Sequence, residues 1–124
     1  MNWTNWVFCS CIFGGLSVVL GAFGAHALKN RLDAYALQVF ETAVRYQMFH
    51  ALALLGVALV ASHVESTAIK LAGWSFCLGI LLFSGSLYTL AATGVKVLGA
   101  VAPVGGLFLI GGWGCLAWSV MALK

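Results

Sequence analysis

The chain has 124 residues, 63% of them hydrophobic and only 7% charged, with a formal net charge of +3. Soluble domains carry ~45–50% apolar and ~25% charged residues, and a soluble fold of this size could not hide the surplus, so it must face lipid. Six basic against three acidic residues are too sparse for the clustered basic face of a nucleic-acid binder, and read instead as an orientation signal across a bilayer.

The charged side chains divide the chain. They fall at Lys29, Arg31, Asp33, Glu41, Arg45, Glu65, Lys70, Lys96 and Lys124, and leave residues 1–28, 46–64, 71–95 and 97–123 uncharged. A helix needs ~20 residues to cross a ~30 Å hydrocarbon core. All four intervals reach or nearly reach that length. The second extends back through Arg45, whose side chain can snorkel outward. The expected fold is therefore all-α, an integral membrane bundle of four transmembrane helices in a single domain over residues 1–124.

Span 1 is expected over about 5–28. Ala25-His26-Ala27 has the small-x-small form of a signal-peptidase site. The segment before it lacks a basic n-region, however, and its apolar run exceeds the ~7–15 residues of a signal peptide, so the span is read as retained. Trp3 and Trp6 suit an interfacial aromatic belt. Ser10, Gly14, Ser17, Gly21 and Ala25 recur at steps of three and four. That spacing lines small side chains along one helix face, where close backbone approach drives association in lipid.

Between about 32 and 44, Leu32, Ala36, Val39, Phe40, Ala43 and Val44 recur at helical spacing, with Asp33, Gln38, Glu41 and Thr42 opposite. The pattern predicts an amphipathic helix lying at the membrane surface between spans 1 and 2. Glu41 and Arg45, four residues apart, have the favourable order for a helical ion pair worth only ~0.3–0.5 kcal/mol. Span 2 follows over about 45–62 and span 3 over about 70–92, where Gly73, Cys77, Ser84 and Ala91 form a second small-residue line. Span 4 covers about 98–123 with Ala102, Gly105, Gly112 and Ser119 as a third, and Pro103 falls in its first turns, where a missing donor is tolerated.

Four crossings put both termini on one face. Lys29, Arg31, Arg45 and Lys96 lie on the side of the first and third connections, and only Lys70 and Lys124 on the other. The positive-inside rule makes those two connections cytoplasmic and both termini external.

Several strings resemble one family. They are Gly21 to Leu28, Thr42 to Leu55 with Tyr46-Gln47 and His50-Ala51-Leu52, Leu82 to Tyr88, and Pro103-Val104-Gly105-Gly106 followed by Gly112-Trp113. In order and over nearly the whole chain, they are similar to the membrane-protein family called domain of unknown function 423. The resemblance implies a multi-pass protein of the bacterial inner membrane. It brings no established activity and no catalytic residue.

The chemistry-bearing side chains concentrate around the first connection. His26 closes span 1, while Tyr46, Gln47 and His50 open span 2, one turn apart. With Glu41 and Arg45 they form a candidate site for an anionic lipid head group or small polar ligand, since ionisable groups at membrane depth are functional candidates. The competing reading, and the favoured one, is that they satisfy one another and tie helices together. No His-x-x-x-His spacing supports a metal. Cys9 and Cys11 point ~200° apart on a helix, so Cys9, Cys11, Cys77 and Cys115 read as small apolar packers, with Cys115 near Cys9 or Cys11 as the one open pairing. No nucleophile–base pair, phosphate loop or dinucleotide fingerprint is present. The expected protein is a non-enzymatic structural or accessory membrane component without a cofactor. Its partners would be membrane lipid, itself or another membrane protein. The alternative is a small transporter or oligomeric channel using His26 and His50. The helix-packing positions are Gly14, Ser17, Gly21, Ala25, Gly73, Ser84, Gly105 and Gly112.

Overall fold

The fold was obtained as a computed structural model in which residues 2–123 are described. Lys124, one of the two basic residues on the face of the termini, lies outside them. Four long helices succeed one another: α1 (Trp3–Phe23), α2 (Ala34–Ala61), α3 (Thr67–Thr93) and α4 (Leu98–Met121). Each is long and apolar enough to cross a membrane.

The helix ends are written locally. Asn2 caps α1 by accepting from the Thr4 amide at 2.8 Å. Asp33 caps α2 through the Ala36 amide at 2.7 Å, and Ser66 caps α3 through Ile69 at 3.3 Å. Such side-chain oxygens satisfy amides that a helix leaves without partners in its first turn. Gly94 ends α3 at φ +70°, a conformation that favours glycine, with its amide on the Leu90 carbonyl. Pro103 is the sixth residue of α4 rather than part of its first turn. Its missing amide leaves the carbonyl four residues earlier, at Gly99, without that partner.

The amphipathic surface helix expected over 32–44 is not there. Residues 34–61 form one continuous helix of 28 residues, about 42 Å long. The apolar stripe is real, but it packs against protein: Phe40 and Ala43 are buried, with Ala36, Val39 and Val44 half-buried. Phe40 lies against the Tyr88 ring at 5.2 Å and fills the space beside Gly24. No Gly or Pro interrupts residues 34–55, and breaking the helix there would free backbone groups that lipid cannot satisfy. Extension costs less than a bend.

Beyond α1, a π-helical turn from Gly24 to Leu28 continues the span. It sits where Gly24 meets Phe40, and a Cβ at Gly24 would lie 2.7 Å from that ring. The wider turn shifts the register of the residues beyond Phe23, and Ala25, expected on the packing line, is exposed.

Partner positions show how the helices run. Ser10 meets Ala51 and Gly21 meets Val44, so α1 and α2 are antiparallel. His50 faces Phe76 and Phe40 faces Tyr88, so α2 and α3 are too. Gly105 meets Phe83 and Gly112 meets Phe76, which sets α4 antiparallel to α3. Packing is chiefly between chain neighbours, with α2 and α3 central and α1 and α4 presenting most of their side chains outward. One core, built on Trp6, Leu54, Val57, Ile69, Phe76 and Leu109, lies where α2 and α3 meet the start of α1 and the middle of α4.

Three of the other small residues, Gly73, Gly105 and Gly112, lie at close approaches. A Cβ on Gly105 would come within 2.7 Å of the Phe83 Cα, and one on Gly112 within 2.6 Å of the Phe76 ring. Gly73 faces the Trp6 indole, Gly14 faces Ala51, and Ser17 and Ser84 are buried.

Candidate functional site

The polar residues gathered by sequence divide between two faces of α2. Ala43, Gln47, His50, Ala51 and Leu54 succeed one another along a single buried face. Glu41 and Arg45 fall on the outward side, and both are exposed, as is His26 in the π turn. Glu41 and Arg45 do not pair; among the described residues the one ion pair is Lys70 Nζ to Glu65 Oε1 at 4.0 Å. Tyr46 is partly exposed and packs against Phe83, with ring centroids 4.7 Å apart.

Because α2 begins at Ala34, His50 does not open a span. It lies about 24 Å along the helix, beside Phe76 and Trp113 rather than near His26. Its ring is held at both nitrogens. Nδ1 sits 2.7 Å from the Tyr46 carbonyl, and the Trp113 indole N–H donates to Nε2 at 3.0 Å. An indole nitrogen is only a donor, so Nε2 must accept and Nδ1 must carry the proton. The network thus selects the neutral Nδ1–H tautomer. The imidazole lies edge-on to Trp113, with centroids 5.9 Å apart, and Phe76 closes the group at 5.2 Å from the same indole.

Gln47 is tied on two sides. Its Nε2 donates to the Phe13 carbonyl of α1 at 2.9 Å, and its Oε1 accepts from the Tyr88 hydroxyl of α3 at 2.6 Å. Two serines add to the set. Ser10 donates to the Ala51 carbonyl and Ser84 to the Ala43 carbonyl, both at 2.7 Å. Every interhelical side-chain hydrogen bond among the described residues therefore has one end on α2, and α1, α3 and α4 each supply the other. With no water in the hydrocarbon core, these groups find partners in protein or not at all.

Tyr88 and Trp113 are the partners that sequence does not assign. Their signal is chemical type: a phenol and an indole at membrane depth each need an acceptor. The four cysteines are free; Cys77 belongs to the buried core, and Cys9 and Cys115 both pack against that core. Among the described residues no three His, Cys, Asp or Glu side chains gather closely enough to hold a metal ion.

A family model described as protein of unknown function (DUF423) matches residues 20–106. A UPF0382 membrane protein of Staphylococcus haemolyticus is 47% identical over 98 residues, which cover 79% of this chain and 80% of that one. A UPF0382 membrane protein of Haemophilus influenzae is 46% identical over 111 residues, 90% of this chain and 89% of its own. The UPF0382 inner membrane protein YgdD of Escherichia coli is 37% identical over 115 residues, 93% and 88% of the two chains. No solved structure matches.

Proposed function

Since the chain belongs to the DUF423 family of membrane proteins, whose molecular function is unknown, we propose that it is a non-enzymatic structural or accessory component of the membrane. One observation carries this reading: the buried polar side chains of α2 are committed to joining helices. Both ring nitrogens of His50 and both polar atoms of the Gln47 amide have intramolecular partners. A transport or catalytic site needs such groups turned toward a ligand or a water path. Here they turn toward neighbouring helices.

The exposed members of the cluster, His26, Glu41 and Arg45, are left to meet lipid head groups or a second membrane protein. The distribution of Lys29, Arg31, Arg45 and Lys96 favours cytoplasmic first and third connections with both termini outside. The inner-membrane designation of the Escherichia coli relative supports placement in the bacterial inner membrane.

The test pairs two measurements on the full chain. Under this reading, proteoliposomes carry no more proton or cation flux than empty vesicles, and H26Q/H50Q leaves co-purification of lipids and proteins from native membranes unchanged. A flux above background that H26Q/H50Q removes while helicity is retained would refute it in favour of a small transporter or channel.

A further inference from the structure

On the face of the first and third connections, a cavity of about 740 Å³ opens between the start of α2 and the junction of α3 with α4. Arg31, Asp33, Tyr35 and Lys96 line its mouth, and Leu32, Ala36, Val39 and Leu90 are among the apolar residues below them. Adjoining it is a groove of about 320 Å³ between the end of α1 and α3, lined by Leu20, Phe23, Phe40, Tyr88 and Ala92 among others. Leu32 and Ala91 line both, so the cavity and the groove adjoin at those two side chains. The only side-chain polar atom on the groove wall is the Tyr88 hydroxyl, and that proton is already donated to Gln47. Of the two neighbours, the cavity is therefore lined by charged side chains and the groove is apolar.

We propose that cavity and groove together form one path that holds one anionic phospholipid, with its phosphate at Arg31 and Lys96 and an acyl chain along the groove. Three features identify the occupant. The mouth carries two cations against one carboxylate, and Asp33 already uses an oxygen to cap α2. A guanidinium and an ammonium together suit a phosphodiester oxygen pair. Tyr35, exposed at the same mouth, supplies a phenol at head-group depth. The apolar groove beside the cations has a lining suited to an acyl chain, which a free anion lacks. The cavity volume falls in the ~300–1,000 Å³ range of ligand sites.

The proposal deepens the accessory reading by naming the lipid, yet the two fail separately, because neither Arg31 nor Lys96 touches Gln47 or His50. Delipidated full-length protein in detergent is titrated with palmitoyl-oleoyl phosphatidylglycerol or phosphatidylcholine and followed by native mass spectrometry. Phosphatidylglycerol is expected to be retained over phosphatidylcholine. R31Q/K96Q, which changes only exposed side chains, should weaken its retention about thirtyfold through loss of two interfacial cations. A92W, which fills the groove and leaves the charges in place, should weaken retention as well, with helicity and Tm checked for both variants. Inorganic phosphate at millimolar concentration should not displace the lipid. Equal retention of the two lipids, unchanged retention in R31Q/K96Q, or displacement by phosphate alone would each overturn the assignment.

Discussion

The bond from the Tyr88 hydroxyl to Gln47 offers a direct measure of how the bundle is held. Interhelical hydrogen bonds in membrane proteins are worth ~0.6 kcal/mol on average and at most ~1.7. Gln47 makes two, to Phe13 and to Tyr88, so Gln47→Leu should cost roughly 1–3 kcal/mol. The Phe13 carbonyl is not orphaned by that change, because the Ser17 hydroxyl also donates to it at 2.7 Å. Tyr88 loses its acceptor. Tyr88→Phe should therefore cost less than Gln47→Leu, and it should cost still less when Gln47 is already Leu. The coupling energy from the double-mutant cycle is expected at about 0.6–1.7 kcal/mol. Reversible unfolding in mixed micelles titrated with SDS, read by far-ultraviolet circular dichroism, gives all four stabilities. A coupling within about 0.3 kcal/mol of zero would show that the bond does not hold α2 to α3, and the view of α2 as the common anchor would fall with it.

The packing makes three further outcomes testable. Gly105→Ala places a methyl against the α3 backbone at Phe83 and should destabilise by about 1–3 kcal/mol, whereas Gly111→Ala, which meets open space, should stay within about 0.5 kcal/mol; equal effects would contradict the α3–α4 crossing. Spin labels at the exposed positions Tyr35 and Leu59 should report a backbone separation of about 36 Å along one straight helix, against about 26 Å if the chain turned sharply near residue 44. Nitrogen-15 NMR of labelled histidine should find His50 neutral with its proton on Nδ1, and Trp113→Phe should perturb Nε2; a proton on Nε2 in the unsubstituted protein would refute the indole-to-imidazole bond.

The extended form of α2 is hidden from sequence for a definite reason. Helical periodicity over Leu32, Phe40 and Ala43 reports that one face is apolar, but says nothing of what covers it. Lipid head groups and a neighbouring helix would select the same spacing. Only the approach of Gly24 and Tyr88 to Phe40 assigns that face to protein. The same limit applies to the polar cluster. Arg45 and Gln47 are two residues apart and therefore on different sides of the helix, yet which side is interior depends on where α1 and α3 dock. A span 2 that began at Arg45 would put His50 near His26. Once the helix starts eleven residues earlier, His50 moves inward and His26 stays outside.

Composition alone determined that this chain lives in lipid, because too few charges are available to wet its surface. The spacing of those charges marked out four stretches long enough to cross a bilayer, whereas the structure shows Asp33, Ser66 and Gly94 capping helix ends through contacts only a few positions away. Tertiary structure decided the rest: which small residues face a neighbour, which polar groups are satisfied, and where a cavity opens. Those outcomes join residues far apart in the chain, as Trp113 meets His50 and Ser84 meets Ala43. Local pattern is written by the chain's own geometry, whereas a partner's identity exists only after the helices have packed.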